Sequence, residues 1–311
     1  MQKFELHITI NSSENTLIEV ITSKCKVNDY QLSIGQVKQA INKGALWLSR
    51  GKSTQRLRKI KKTLRLGDVV HFYYHQQLLL QRPPQAELIE DFDHYSIWYK
   101  PYGMLSQGSK WSDHCTISRW VEMHITPQRQ AFIVHRLDRA ASGLIVIAHS
   151  KKAAQHFSQL FEHRALNKYY QIIVHGQLLF TQNKENNKDH NPLIENKLVN
   201  NEIDGKKAVS IFSLLDYHQA SNTSLLQVKI ETGRKHQIRK HASLINLPVV
   251  GDRLHGNKAY QYSDDLNLQL SAVYLDFTCP FSNNKQRIEL PVRLRLNLSN
   301  TADKLSTLER Y

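Results

Sequence analysis

The chain has 311 residues, 41% of them hydrophobic and 22% charged, enough for a sizeable core and a smaller attached module. Forty-two Lys and Arg against 27 Asp and Glu leave a formal charge of +15, which points to a polyanionic partner such as nucleic acid or an anionic membrane surface. Membrane-spanning, secreted and metal-held classes are excluded. No apolar run reaches about 18 residues, and the start MQKFELHITINSSE lacks a secretory apolar region. Cys25, Cys115 and Cys279 are too scattered for a disulfide framework or a zinc site and read as reduced cytosolic thiols.

The amino-terminal stretch alternates like a strand. Ile34 to Asn42 carries apolar residues at helical spacing and is closed by Lys43-Gly44. Ala45 to Leu48 reads as a short strand, and Leu66-Gly67-Asp68 turns into a β-branched and aromatic strand, Val69 to Tyr74. Between them runs a segment with no acidic residue, containing Arg50, Lys52, Arg56, Arg58, Lys59, Lys61, Lys62 and Arg65. These cations repel one another unless a polyanion is near, so the segment is a candidate nucleic-acid clamp or, failing that, a solvated basic loop. The double proline Pro83-Pro84 favours an extended linker, giving a module over residues 1–82 and a domain over 83–311.

Downstream, strand-like runs dominate. Leu144 to Ala148 is a short apolar strand, and Ser150 caps a helix with Ala154, Phe157, Leu160 and Phe161 on its apolar face. Tyr169 to His175 alternates, residues 181–191 read as an exposed polar loop, and Ser224 to Glu231 alternates with Leu226, Val228 and Ile230 inward. A helix from about Lys235 to Ile245 ends at Asn246 and Pro248. Strands and helices do not alternate regularly, so the expected class is α+β: a mixed, largely antiparallel central sheet with flanking helices, plus a small α+β amino-terminal module.

Three segments carry chemistry. His135-Arg136-Leu137-Asp138-Arg139 sets a carboxylate between two arginines immediately before a buried strand, where opposite charge favours its ionised form; a structural loop salt bridge is the competing reading. Thr232-Gly233-Arg234-Lys235-His236-Gln237-Ile238-Arg239 leads a glycine turn into a basic helix start, suited to a phosphate or to a buried carboxylate. Arg234 and Arg239 lie on different stripes, so one can meet each. Lys168-Tyr169-Tyr170-Gln171 puts a tyrosine on a strand face, for core packing or for stacking on a base.

HRLDRAASGLIVIAHS, NKYYQIIVHG, DGKKAVSIFSLLD and TGRKHQIRKHASLINLPVVGDRLHG, in this order and preceded by YSIWYKPYGM, resemble the RluA-type family of RNA pseudouridine synthases over roughly Asp91 to Phe281. The upstream module more weakly resembles a small S-four RNA-binding domain. The family resemblance implies an isomerase that converts uridine to pseudouridine in ribosomal or transfer RNA, with no cofactor, no metal and no obligate protein partner, in the cytoplasm. It implies Asp138 as the catalytic carboxylate, Tyr170 stacked on the target base with a share in proton removal from carbon 5, and Arg239 paired with Asp138. It places Arg136 in the space left by a flipped nucleotide or on its phosphate. Arg139, Lys168, Arg234, Lys235, His236 and Gln237 join the basic segment as expected RNA contacts. Ala141 and His255 depart from the family pattern, which usually has Thr and Tyr there. The alternative from another class is a non-catalytic RNA-binding or assembly protein that retains the fold; the intact set Asp138, Tyr170 and Arg239 speaks against it.

Overall fold

The computed structural model describes residues 2–12, 16–179 and 196–308; the polar stretch 181–191 lies outside them. The chain forms two compact units. The first is Met1–Pro84 with Leu105–Gln128, the second Gln85–Met104 with Arg129–Tyr311. The break after Pro84 falls at the double proline, while residues 105–128 pack with the first unit.

The first unit holds a four-stranded antiparallel sheet, order β1-β4-β2-β3, from β1 (Lys3–Thr9), β2 (Leu46–Arg50), β3 (Ser53–Arg56) and β4 (Val69–His75). Helices α1 (Leu17–Val27) and α2 (Ile34–Asn42) each start with a capping box, Thr16 with Glu19 and Ser33 with Gln36, which satisfies two otherwise orphaned N–H groups apiece. Their inward residues Leu17, Ile21, Val37 and Ile41 join Leu46, Leu48, Val70 and Phe72 in one core. Short α3 (Gln76–Leu80) follows β4, and α4 (Ile117–His124) is capped by Thr116. The strand expected at 45–48 continues to Arg50 and turns at Gly51 into β3, so part of the basic segment is a hairpin and not a plain loop.

The second unit is built on β5 (Glu87–Asp91), β6 (Tyr95–Lys100), β7 (Phe132–Ile133), β8 (Ser142–Ala148), β9 (Leu166–His175), β10 (Asn196–Val199), β11 (Ser210–His218), β12 (Thr223–Ile230), β13 (Leu270–Thr278) and β14 (Lys285–Glu289). The sheet runs β10-β11-β12-β9-β13-β8-β6-β5, with β14 beside β13 and β7 beside β8. Every pairing is antiparallel except β13 with β8. With helices α5 (Lys151–Glu162), α6 (Gln237–Leu244) and α7 (Leu298–Leu308) this is the expected mixed, largely antiparallel α+β architecture.

Two details position the site. At the parallel join Gly143 has φ +111°, and a Cβ there would lie 2.3 Å from backbone atoms of Ala272. Only glycine lets β8 start directly after the HRLDRAAS loop. Helix α6 begins at Gln237, later than Lys235, because His236 adopts the left-handed conformation (φ 55°, ψ 28°) and turns the chain. Phe157 of α5 packs fully buried in the cluster of Tyr95, Ile97, Leu144, Val146 and Leu275; burial of such a side chain stabilises by about 1.5–3 kcal/mol and anchors the sheet beneath the loops.

Candidate active site

Asp138 lies in the loop between β7 and β8 with its side chain 30% exposed. Its Oδ2 faces Arg239 Nη1 and His236 Nε2, each at 3.9 Å. These distances exceed a hydrogen bond, so the Arg239 charge and the His236 ring stand near the carboxylate and leave it open to an incoming group. The flanking arginines do not serve it. Arg136 is exposed, and Arg139 is exposed with its Nε donating to Gly103 O at 3.3 Å. The reading of a carboxylate held between its chain neighbours is thus corrected: successive loop side chains diverge, and the nearby cation, Arg239, comes from α6.

Arg239 meets Asp138 at ion-pair distance, but its strongest partner is a different carboxylate. It is 6% exposed and closes a fork on Asp252, Nε to Oδ2 at 2.8 Å and Nη2 to Oδ1 at 2.5 Å. Asp138 receives only the third nitrogen. Asp252, absent from the sequence reading, also accepts the N–H groups of Leu254 (3.0 Å) and His255 (2.9 Å). Burial alone would raise the Asp252 carboxyl, but the Arg239 fork and the loop N–H groups bring it below its ordinary value.

His236 Nδ1 lies 2.8 Å from His255 Nε2. A carboxylate facing His236 Nε2 favours a proton on that nitrogen, so by partner chemistry Nδ1 accepts and His255 donates. Burial holds both imidazoles below their ordinary value. Tyr170, on β9, is 7% exposed; burial, with the charge of Asp138 adding to it, pushes its phenol up and keeps it protonated.

Lys100 is the other residue the sequence reading left without a role. Fully buried at the end of β6, it donates to the carbonyls of Pro101 (3.1 Å), Met104 (3.0 Å) and Ala141 (2.6 Å). It thereby ties the YKPYGM segment to the Asp138 loop. Burial pushes its amine down to about 7 against the opposing charge of Asp138. The available signal was a lysine closing an apolar strand just before a proline.

The other expected contacts divide. Gln237 is 3% exposed: its oxygen accepts from Thr232 Oγ1 and Arg234 N–H, and its amide donates to Val209 O and Ser210 Oγ. This buried network holds the turn and leaves nothing for RNA, which corrects that expectation. Lys235 is exposed, while Arg234 and Lys168 are half-buried.

In the first unit the basic segment has acidic partners from outside its own sequence. Arg50 forks onto Asp68, and Arg56 and Arg58 both pair with Asp113. Lys52, Lys59 and Lys61 are exposed and Lys62 is half-buried. Arg50, Arg58, Lys59, Lys61, Lys62 and Arg65 line a hollow of about 710 Å³.

A family model described as RNA pseudouridylate synthase matches residues 94–244. The chain is 31% identical over 229 residues to ribosomal large subunit pseudouridine synthase D of Borreliella burgdorferi, covering 70% of this chain and 68% of that one. To tRNA pseudouridine synthase C of Vibrio parahaemolyticus it is 29% identical over 224 residues, covering 65% and 89%. The solved structure of human RNA pseudouridylate synthase domain containing 1 shares the fold with a TM-score of 0.53 at 18% identity, over 73% of this chain and 98% of that one. The sequence and its fold thus agree: the chain belongs to the RNA pseudouridine synthase family, isomerases acting on RNA.

Proposed function

We propose that Asp138 is the carboxylate that acts on a uridine swung out of its RNA, and that Tyr170 stacks on the extruded base. The observation that carries this is the division of labour around Arg239. Its strong fork is committed to Asp252, while Asp138 stays part-exposed with cationic and N–H neighbours at 3.9 Å and, among the described residues, no side-chain hydrogen bond to break before it can react. An anionic oxygen so placed suits nucleophilic attack, or stabilisation or deprotonation of a sugar centre, better than general acid catalysis.

Isomerisation breaks the bond from N1 to the sugar, turns the uracil and joins carbon 5 to the same sugar carbon; carbon 5 loses a proton and N1 gains one. Extruding the base costs a few kcal/mol, which contacts between a basic cleft and the phosphates offset. The protonated phenol of Tyr170 favours stacking as its main role, since it must first lose a proton to act as a base. Exposed Arg136 is placed to fill the gap in the stack. The first unit, with its S-four-like pattern, grips the RNA through Lys52, Lys59, Lys61 and Lys62, and ribosomal RNA in the cytoplasm is the favoured substrate.

Asp138→Asn keeps the shape and removes the charge. Tritium release from RNA labelled at carbon 5 of uridine should be abolished, with RNA affinity within about twofold of wild type because the contacts to phosphate remain. Turnover retained by this variant would refute the assignment.

A further inference from the structure

In the same unit as Asp138, a hollow of about 430 Å³ opens where β9 begins and β12 ends. Arg164, Lys168, Lys229 and Arg234 line it against two carboxylates, Glu162 and Glu231. Among the described residues none of these four cations forms an ion pair. Arg164 and Lys229 play no part in the site described above.

Lys168 is the informative member. Its amine sits over the ring of Phe161, 5.4 Å from the centroid, and burial lowers it from the ordinary lysine value. The His135 ring packs against the same phenylalanine. That histidine is pushed down to about 3 by burial, with the charge of Lys168 adding, and its Nε2 accepts the N–H of Val146. It is therefore neutral and offers Lys168 no counter-charge. A partly dehydrated cation without a carboxylate partner is a standing cost that a bound anion removes.

Position tells which anion. Lys168 and Tyr170 are two apart on β9, in a stretch whose pairing with β12 is regular, so their side chains leave the same face about 7 Å apart. A base stacked on Tyr170 brings a neighbouring backbone phosphate within the reach of Lys168. Gly233 forms the rim: a Cβ there would stand 3.7 Å from Lys168 Nζ, so any larger side chain intrudes on the anion's place.

From this we infer that the hollow is a subsite for one internucleotide phosphate next to the flipped uridine, with Lys168 at its centre and Arg164, Lys229 and Arg234 around it. The subsite deepens the reading of Tyr170 as the stacking residue and rests on it.

The test is RNA binding by the full chain carrying Asp138→Asn, so that affinity is read without turnover and independently of what Asp138 does. Lys168→Met should weaken binding about tenfold, the effect of removing one charge-assisted hydrogen bond. It should also lower the slope of log affinity against log salt by about one. Lys168→Arg should restore most of both. In substrates with a single uncharged methylphosphonate linkage moved along the backbone, one position next to the target uridine should reproduce the weakening and have no further effect on Lys168→Met.

Gly233→Val, which blocks the hollow without altering charge, should weaken binding at the same linkage and covers the case in which Lys168→Met fails to fold. Unchanged affinity and slope in these variants would overturn the subsite. So would a Lys168→Met defect that depends on no single linkage. If inorganic phosphate at millimolar concentration protected the hollow as well as the RNA does, the site would be a free-anion site and the inference would fail.

Discussion

Arg50 in the first unit and Arg239 in the second are held by the same device and left with different things to do. Each closes a two-bond fork on a buried aspartate, Arg50 on Asp68 at 2.8 and 2.7 Å, Arg239 on Asp252 at 2.8 and 2.5 Å. Each aspartate also accepts loop N–H groups, Asp68 from Arg65 and Asp252 from Leu254 and His255. Arg50 Nη2 reaches Thr63 O as well, so that guanidinium closes its own loop. Arg239 keeps Nη1 pointed at a second carboxylate, Asp138. The fork fixes each arginine; Arg50 uses a fork nitrogen a second time on its own loop, whereas Arg239 turns the nitrogen outside its fork toward another carboxylate.

Asp252→Asn breaks the comparison at its more costly end. The substitution removes the counter-charge of a guanidinium that is 6% exposed, and breaking such a buried pair costs about 3–5 kcal/mol. Its effect on chemistry should be larger than stability alone explains. An unclamped Arg239 no longer presents Nη1 to Asp138, and a misplacement of about 1 Å near reacting groups costs on the order of 100-fold in rate. Urea midpoints and tritium release at saturating RNA measure the two effects separately. A variant that lost stability but kept its full rate would show that the third nitrogen of Arg239 has no part in the reaction.

Asp68→Asn is the matched experiment in the first unit. Arg50 is 31% exposed and water replaces much of what it loses, so the cost should be about 1–2 kcal/mol, with the rate at saturating RNA unchanged. The dependence on pH has a definite sign. The Arg50 hydrogen bond, foremost, holds the Asp68 carboxyl below its ordinary 3.8. Its stabilising contribution is therefore present above pH 3.8 and is lost as pH falls through the lower folded value. The stability gap between wild type and variant should close in that acid window and be flat above it.

What the sequence could and could not show follows from the same contrast. Helix α2, strand β4 and strand β12 were legible because caps and apolar spacing are local. The first turn of α6 was misread because nothing local announces a histidine in the left-handed region. Asp138, Tyr170 and Arg239 were singled out through the resemblance, and Asp138 in the loop before β8 comes within 3.9 Å of Arg239 on α6. Their supports were not. Asp252 and Lys100 act through tertiary pairing; a lysine closing an apolar strand before a proline hints at burial, but nothing local names the three carbonyls that answer it. Gln237 looked like an RNA-binding residue because it sits in a basic string, yet its polar atoms are consumed in the interior. The basic segment looked uniformly unpaired because Asp113, which meets Arg56 and Arg58, lies far downstream in the chain.

That last point sets the smallest effect on stability and sharpens the comparison most. If cations already forked or paired are structural, the proposed RNA grip of the first unit falls to those without an internal carboxylate, among them Lys59, Lys61 and Lys62 around the 710 Å³ hollow. Replacing the three with glutamine should leave the unfolding free energy within about 0.5 kcal/mol of wild type. It should lower the salt slope of RNA binding by about one for each phosphate that is no longer neutralised. Arg56→Gln should do the reverse. It removes a partner of Asp113 and a guanidinium lying 4.4 Å over the Trp47 ring, so stability should fall while the salt slope hardly moves. Equal slope changes in the two variants would mean that internal pairing does not decide which cations of this segment meet RNA.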